Sequence, residues 1–165
     1  MTLDEFVVYI IDLLQRAAAV DGGVKVESFA EAGFTEKSLG FRLTFISGAT
    51  AYVQVVGTYP PGTASSEGDP LSLVDVPGLP VADGRVSLRD IEAWNAAVVR
   101  NGGSRHVEAV AGYTTIEGRT STTQTNGVRV TFYDQSRASL MFVYTLPPGE
   151  YPGMKRKEFM QLSAI

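Results

Sequence analysis

Phe41–Gly62 reads FRLTFISGATAYVQVVGTYPPG, and Val128–Gly149 reads VRVTFYDQSRASLMFVYTLPPG. The two stretches align without a gap at an offset of 87 residues. Nine of their 22 positions are identical: Arg42/Arg129, Thr44/Thr131, Phe45/Phe132, Ala51/Ala138, Val56/Val143, Thr58/Thr145, Pro60/Pro147, Pro61/Pro148 and Gly62/Gly149. Composition alone gives about one or two matches over such a length. Both stretches alternate with the period of a strand. Phe41, Leu43 and Phe45 share one face, with Arg42 and Thr44 on the other, and Val128, Val130 and Phe132 repeat this against Arg129 and Thr131. Turns at Ser47-Gly48 and Asp134-Gln135-Ser136 lead into return strands Thr50–Val56 and Arg137–Tyr144. Their core-facing sets are Ala51, Val53, Val55 and Ala138, Leu140, Phe142. Each stretch is predicted to be a β-hairpin.

The similarity extends upstream with small gaps. Thr2-Leu3-Asp4-Glu5-Phe6 answers Ser87-Leu88-Arg89-Asp90-Ile91, Tyr9 falls on Trp94, Ala17–Gly23 resembles Ala96–Gly103, and Ala32–Thr35 matches Ala111–Thr114. A shared order through four segments favours tandem copies over chance. Thr2 with Glu5, and Ser87 with Asp90, are capping-box-like helix starts. Helices are expected over about Leu3–Ala19 and Leu88–Arg100, stopped by Asp21-Gly22-Gly23 and Asn101-Gly102-Gly103. Strands Lys25–Phe29 and Arg105–Val110 follow them. The fold class is therefore α+β: a tandem duplicated αβββ unit forming a pseudo-twofold body, with antiparallel sheet and two packed helices. The organisation is a first repeat over 1–62, a Pro/Gly-rich linker over 63–86, a second repeat over 87–149 and a C-terminal tail over 150–165.

Three segments break the symmetry. Thr58–Val86 holds five of the eight prolines. Its first half reads as an exposed loop, and its second half, with Leu71, Leu73, Val74, Val76, Leu79 and Val81, is apolar enough to pack along the body. Thr115–Asn126 is Thr-rich, including Thr120, Thr122 and Thr123, and suits either a loop or extended β arms that pair with a neighbour. The tail carries Lys155-Arg156-Lys157, then Phe159 and Leu162, and reads as a docking segment with Phe159 and Leu162 as anchors and the three cations facing an acidic surface. Removing 153–165 is expected to leave the body folded and to weaken assembly. These eight side chains, Thr120, Thr122, Thr123, Lys155, Arg156, Lys157, Phe159 and Leu162, are the interface expected from sequence.

The 165 residues carry 14 basic and 18 acidic side chains, a net charge of -4, which argues against a globally basic nucleic-acid binder. No Cys is present, which removes disulfide scaffolds, thiolate metal sites and Cys nucleophiles. A single His cannot build a multi-His metal centre. The acids Asp4 and Glu5 stand where a signal peptide needs cations, and no window reaches the roughly 20 apolar residues of a membrane span. The expectation is a protein made in the cytoplasm with no membrane partner.

The chain has no P-loop, no Gly-x-Gly-x-x-Gly after a strand and no Gly-x-Ser-x-Gly elbow. Glu67-Gly68-Asp69 lacks the further oxygen ligands of a calcium loop and reads as a solvated turn. His106 is predicted at the start of a strand, with Glu108 as its only same-face acid and no nucleophile motif. Asp12 interrupts an apolar helix and fits a polar stripe with Glu5 and Arg16. Tyr9 and Trp94 read as packing residues. No catalytic, cofactor-binding or metal-binding residue is assigned, and no cofactor is expected. Helix one is apolar over more than half its circumference, so something beyond one sheet must cover it.

The order helix, strand, hairpin across 2–57 resembles the small α+β proteins of tailed-phage virions, tail terminators and head–tail connector subunits above all. The resemblance lies in size and element order and covers about a third of the chain. It implies a non-enzymatic structural or assembly protein that acts by homo-oligomerisation, as a ring or with other structural proteins, and that ends in a virion. Two other readings stand beside it: a binding module holding a peptide or small ligand between its two halves, and an enzyme using His106 or paired carboxylates.

Overall fold

Helix α1 (Leu3–Asp21) begins where Thr2 and Glu5 cap each other: the Glu5 amide donates to Thr2 Oγ1 at 3.2 Å, and the Thr2 amide to Glu5 Oε2 at 2.7 Å. It ends at Gly22, whose left-handed backbone (φ 68°) lets its N–H reach the Ala18 carbonyl. Three strands follow: β1 (Val24–Ser28), β2 (Gly40–Phe45) and β3 (Thr50–Thr58). A two-residue ribbon, β4 (Val81–Ala82) with β5 (Arg85–Val86), precedes α2 (Leu88–Arg100). Then come β6 (Val107–Gly112), a 3-10 turn (Tyr113–Thr115), β7 (Gly127–Phe132) and β8 (Arg137–Leu146). This computed structural model describes residues 1–60, 64–119, 126–153 and 163–165.

The protein is α+β, with two helices on one face of a six-stranded antiparallel sheet ordered β1-β2-β3-β8-β7-β6. The two hairpins meet edge to edge through β3 and β8. Phe142 lies opposite Val53 and Leu140 opposite Val55 there, all four buried. Each pairing of β2 with β3, such as Phe41↔Val53 and Leu43↔Ala51, has its partner 87 residues on, Val128↔Leu140 and Val130↔Ala138. The helices run antiparallel to each other. Tyr9 lays its ring on Gly102, and the Trp94 indole N–H donates to Asp21 Oδ2 at 2.7 Å.

The predicted alternation sets the core: Phe41, Leu43, Phe45, Ala51, Val53, Val55 and their later counterparts are all buried. Trp94, fully buried, and Phe6, edge-on to Phe132, fill the layer beneath the helices. Covering a Leu or Phe side chain contributes about 1.5–3 kcal/mol. The surplus apolar surface of α1 is covered by α2 of the same chain, which leaves Val8 (70% exposed) and Val20 (86%) outside.

Three local expectations need correction. Ser87 makes no side-chain cap. The Leu88 amide instead donates to the Ser163 carbonyl, because the chain end pairs along Val86–Leu88. Ala32–Thr35 is not the spatial counterpart of Ala111–Thr114, since 111–112 belong to β6 while 32–35 lie in a loop beyond β1. The counterpart of Tyr113 is Phe29: each ring rests on the glycine opening the next strand, Gly40 or Gly127, where a Cβ would fall within 3 Å of ring and carbonyl. The second half of the linker does lie along the body, with Leu71, Leu79 and Val86 on the core, the Val74 backbone paired with the Asn101 side chain and the Ser72 carbonyl accepting from Arg100, but the Leu73, Val74, Val76 and Val81 side chains are exposed rather than packed.

Candidate functional site

The helices cover one face of the sheet, so the arginine-bearing face expected from the alternation is the other. Its two halves differ. In the first, Arg42 donates to Glu27 Oε2 at 2.6 Å across β1 and β2, and Lys25 reaches Glu27 Oε1 at 2.9 Å. Arg42, and then Lys25, hold the Glu27 carboxyl below the usual carboxylate range. The loop after β1 folds onto this half and packs Phe29 and Phe34 against Tyr52 and Leu146. Tyr144 stacks edge-on to Tyr52 and donates to Glu36 Oε2 at 2.6 Å, a bond that raises its own pKa.

In the second half the register position of Glu27 is Ala111, which lies opposite Arg129. Arg137, diagonal to Arg129 across β7 and β8, shares this face with Ala109, Thr131, Ser139, Met141 and Val56. Neither guanidinium has a partner among the described residues. The loop after β6 leaves toward the helix side instead. Glu92 of α2, buried, accepts from the Thr114 amide (3.1 Å), the Thr114 hydroxyl and the Gly127 amide (2.9 Å). One carboxylate thus clamps both ends of the segment between β6 and β7. The sequence signal was a lone acid within an apolar helical stripe of Leu88, Ile91, Val98 and Val99.

The two edges of the sheet also differ. On β1 two outward groups are met from within the chain: Gln15 Nε2 donates to the Val26 carbonyl at 3.1 Å, and Glu31 Oε2 accepts from the Ser28 amide at 2.7 Å; on β6 Thr115 Oγ1 donates to the Gly112 carbonyl at 2.7 Å. On β6 the residues paired to β7 are Ala109 and Ala111, because the Phe132 amide turns toward Ser136 on the β8 side. In an antiparallel ladder the alternate residue, Val110, then points its N–H and C=O outward. Neither group has a partner among the described residues. Beside this edge a cavity of about 450 Å³ lies against α2, floored by Ala93 and Ala96 and rimmed by Arg89, Arg100 and Thr115.

His106 does not meet Glu108. It lies in the turn before β6, and Nε2 is 3.6 Å from Glu67 Oε1, with Arg105 also 3.6 Å from Glu67. Glu67-Gly68-Asp69 is therefore docked: the Gly68 amide donates to the Arg105 carbonyl, Gly68 packs on the Tyr133 ring, and Tyr133 donates to the Asp69 carbonyl. Asp12 is exposed and paired with Arg16 at 2.6 Å. The expected interface residues Thr120, Thr122, Thr123, Lys155, Arg156, Lys157, Phe159 and Leu162 lie outside the described residues. The chain end does dock, but on its own chain: Ile165 is fully buried, and its N–H and C=O both pair with Val86 (3.0 and 2.7 Å). Removal of the tail should accordingly cost stability as well. No group of three or more His, Asp or Glu fit to hold a metal occurs among the described residues, and no helix is long and apolar enough to cross a membrane. No protein-family model, curated protein or solved structure matches the chain.

Proposed function

We propose that this is a non-enzymatic assembly protein that acts by homo-oligomerisation. The observation that carries the proposal is the asymmetry of the two sheet edges. A strand edge with open donors and acceptors is complementary to another extended backbone. On the β1 edge Gln15 occupies the Val26 carbonyl and Glu31 the Ser28 amide; on the β6 edge Thr115 Oγ1 occupies the Gly112 carbonyl, but both groups of Val110, at the register position of Val26, lack a partner among the described residues and lie beside a cavity. Three of the acids are engaged in bracing: Glu92 holds the ends of the β6–β7 segment, Asp21 holds Trp94, and Glu67 faces His106. We also read the chain as two copies of one αβββ unit. The strand order and the 87-residue correspondence of the hairpin registers support this. Assembly into a phage particle, beside other structural proteins, remains the form of this proposal that size and element order favour.

Light scattering and native mass spectrometry over a concentration series test it. The wild type should oligomerise. Val110→Pro removes an N–H that no ladder bond uses, so it should keep its fold and lose the oligomer. A wild type monomeric at every concentration overturns the proposal, and so does an oligomer that Val110→Pro leaves intact. His106→Ala tests the enzyme reading, because loss of the principal activity by 100-fold or so in a folded variant is what removing a general base does.

A further inference from the structure

The helix-free face of β6, β7 and β8 and the outer stripe of α1 are complementary. On the sheet, Arg129 and Arg137 stand among Val56, Met141 and Ser139 without a counter-ion among the described residues. On α1, Asp4, Val8 and Asp12 follow one another at four-residue spacing and form a single exposed stripe. Val8 is the apolar centre of that stripe, and Asp4, Glu5, Val8, Tyr9 and Asp12 line a shallow depression around it. A cationic surface with an apolar floor thus exists on one side of the molecule, and an anionic surface with an apolar ridge on another. Asp4 and Asp12 lie about 12 Å apart along the helix, and the backbones of Arg129 and Arg137, diagonal across β7 and β8, about 7–8 Å apart, a difference that two long arginine side chains can span.

Resting on the oligomer reading above, we infer that α1 of a second copy of this chain occupies the helix-free face of β6–β8. Its Asp4 and Asp12 carboxylates meet Arg129 and Arg137, and its Val8 packs on Val56 and Met141. The first half cannot be the receptor, because Glu27 already neutralises Arg42 and the Phe29–Phe34 loop occupies the ground beside it. The contact joins two different surfaces, so it is heterologous. Repeated, it closes into a ring or runs on as a filament. It has the polarity of a head-to-tail contact and is separate from the β6 edge. The Asp12–Arg16 pair does not compete strongly, since both groups are more than half exposed and such pairs contribute little.

Charge exchange provides the test, with full-length protein and sedimentation or native mass spectrometry as the readout. Arg129→Glu and Asp4→Arg each set like charges against each other and should weaken the oligomer at least tenfold. The double variant restores opposite charges and should recover most of the wild-type association. Raised salt should weaken the wild-type oligomer in the same direction. Circular dichroism and melting curves establish that each variant is folded, and Arg129→Gln serves where Arg129→Glu is not. If the wild type assembles and Val110→Pro disrupts it, yet both single charge exchanges associate like wild type, this contact is wrong and the assembly function stands. If the single exchanges weaken association and the double variant does not recover it, the pairing of these two surfaces is likewise wrong. A monomeric wild type overturns both.

Discussion

The two halves of the sheet share a strand order and a hairpin register, yet their helix-free faces are treated in opposite ways. In β1–β3 the face is finished within the chain: Glu27 meets Arg42, and Phe29 and Phe34 lie over Tyr52. In β8–β6 the position of that acid is taken by Ala111, and the two ends of the connecting segment, at Thr114 and Gly127, are held to Glu92 of the helix layer. The same pairing geometry therefore yields a closed surface or an open one, according to one cross-strand residue and the direction of one loop. Core alternation fixes the ladder, whereas the loops decide what covers it.

The largest effect that would break this comparison is expected at the brace. Glu92→Ala orphans one buried donor, the Gly127 amide, worth about 1–3 kcal/mol when left unpaired, and two part-buried donors of the exposed Thr114, which water reaches and which cost less. A loss of about 3 kcal/mol should lower the melting temperature by roughly 6–12 °C. Glu27→Ala, the acid of the first half, should cost less, about 1–2 kcal/mol, because the Glu27–Arg42 pair is part-buried, with side chains 15% and 25% exposed, and water still reaches the Arg42 left behind. Equal losses would mean that the two acids do the same work.

Next is the contrast between helix starts. α1 is capped by its own Thr2, whereas α2 is begun by the chain end. Ile165→Ala empties a fully buried site and should cost about 2–4 kcal/mol in chemical denaturation. Thr2→Ala should cost about 1 kcal/mol.

Ala111→Glu sharpens the comparison by making the second half resemble the first. A carboxylate opposite Arg129 should stabilise the monomer by a few tenths to about 1 kcal/mol. It should also weaken the oligomer, because the acid is then supplied within the chain. Higher stability together with unchanged assembly would separate Arg129 from the interface.

The smallest effect is in pH. Glu27 has its pKa depressed in the folded state, chiefly by Arg42. The corresponding stability is present above the unfolded carboxylate pKa of about 4.3 and is lost as pH falls through the lower folded value. Acidification across that window should cost less than about 1 kcal/mol. Arg42→Gln should raise the Glu27 titration, followed by carboxyl NMR, part of the way toward the usual range, because Lys25 still lowers it.

Much of the fold could be read from local pattern. A period of two in Phe41–Phe45 and Val128–Phe132 needs only one buried face to become a strand, and a Gly-containing turn after an amphipathic run needs only backbone geometry to stop a helix. Those rules act over a few residues, so α2 ends where predicted and α1 runs two residues beyond its predicted end. Which acid meets which base depends instead on chain closure over long separations. Glu92 reaches Gly127 over 35 residues and Trp94 reaches Asp21 over 73. Nothing local marks such pairs beyond a lone acid in an apolar stripe. The same holds for the site. Arg42 and Arg129 look alike in sequence, and only the strand placed beside each one, with Glu27 in one half and Ala111 in the other, makes the first a finished ion pair and leaves the second without a counter-charge among the described residues.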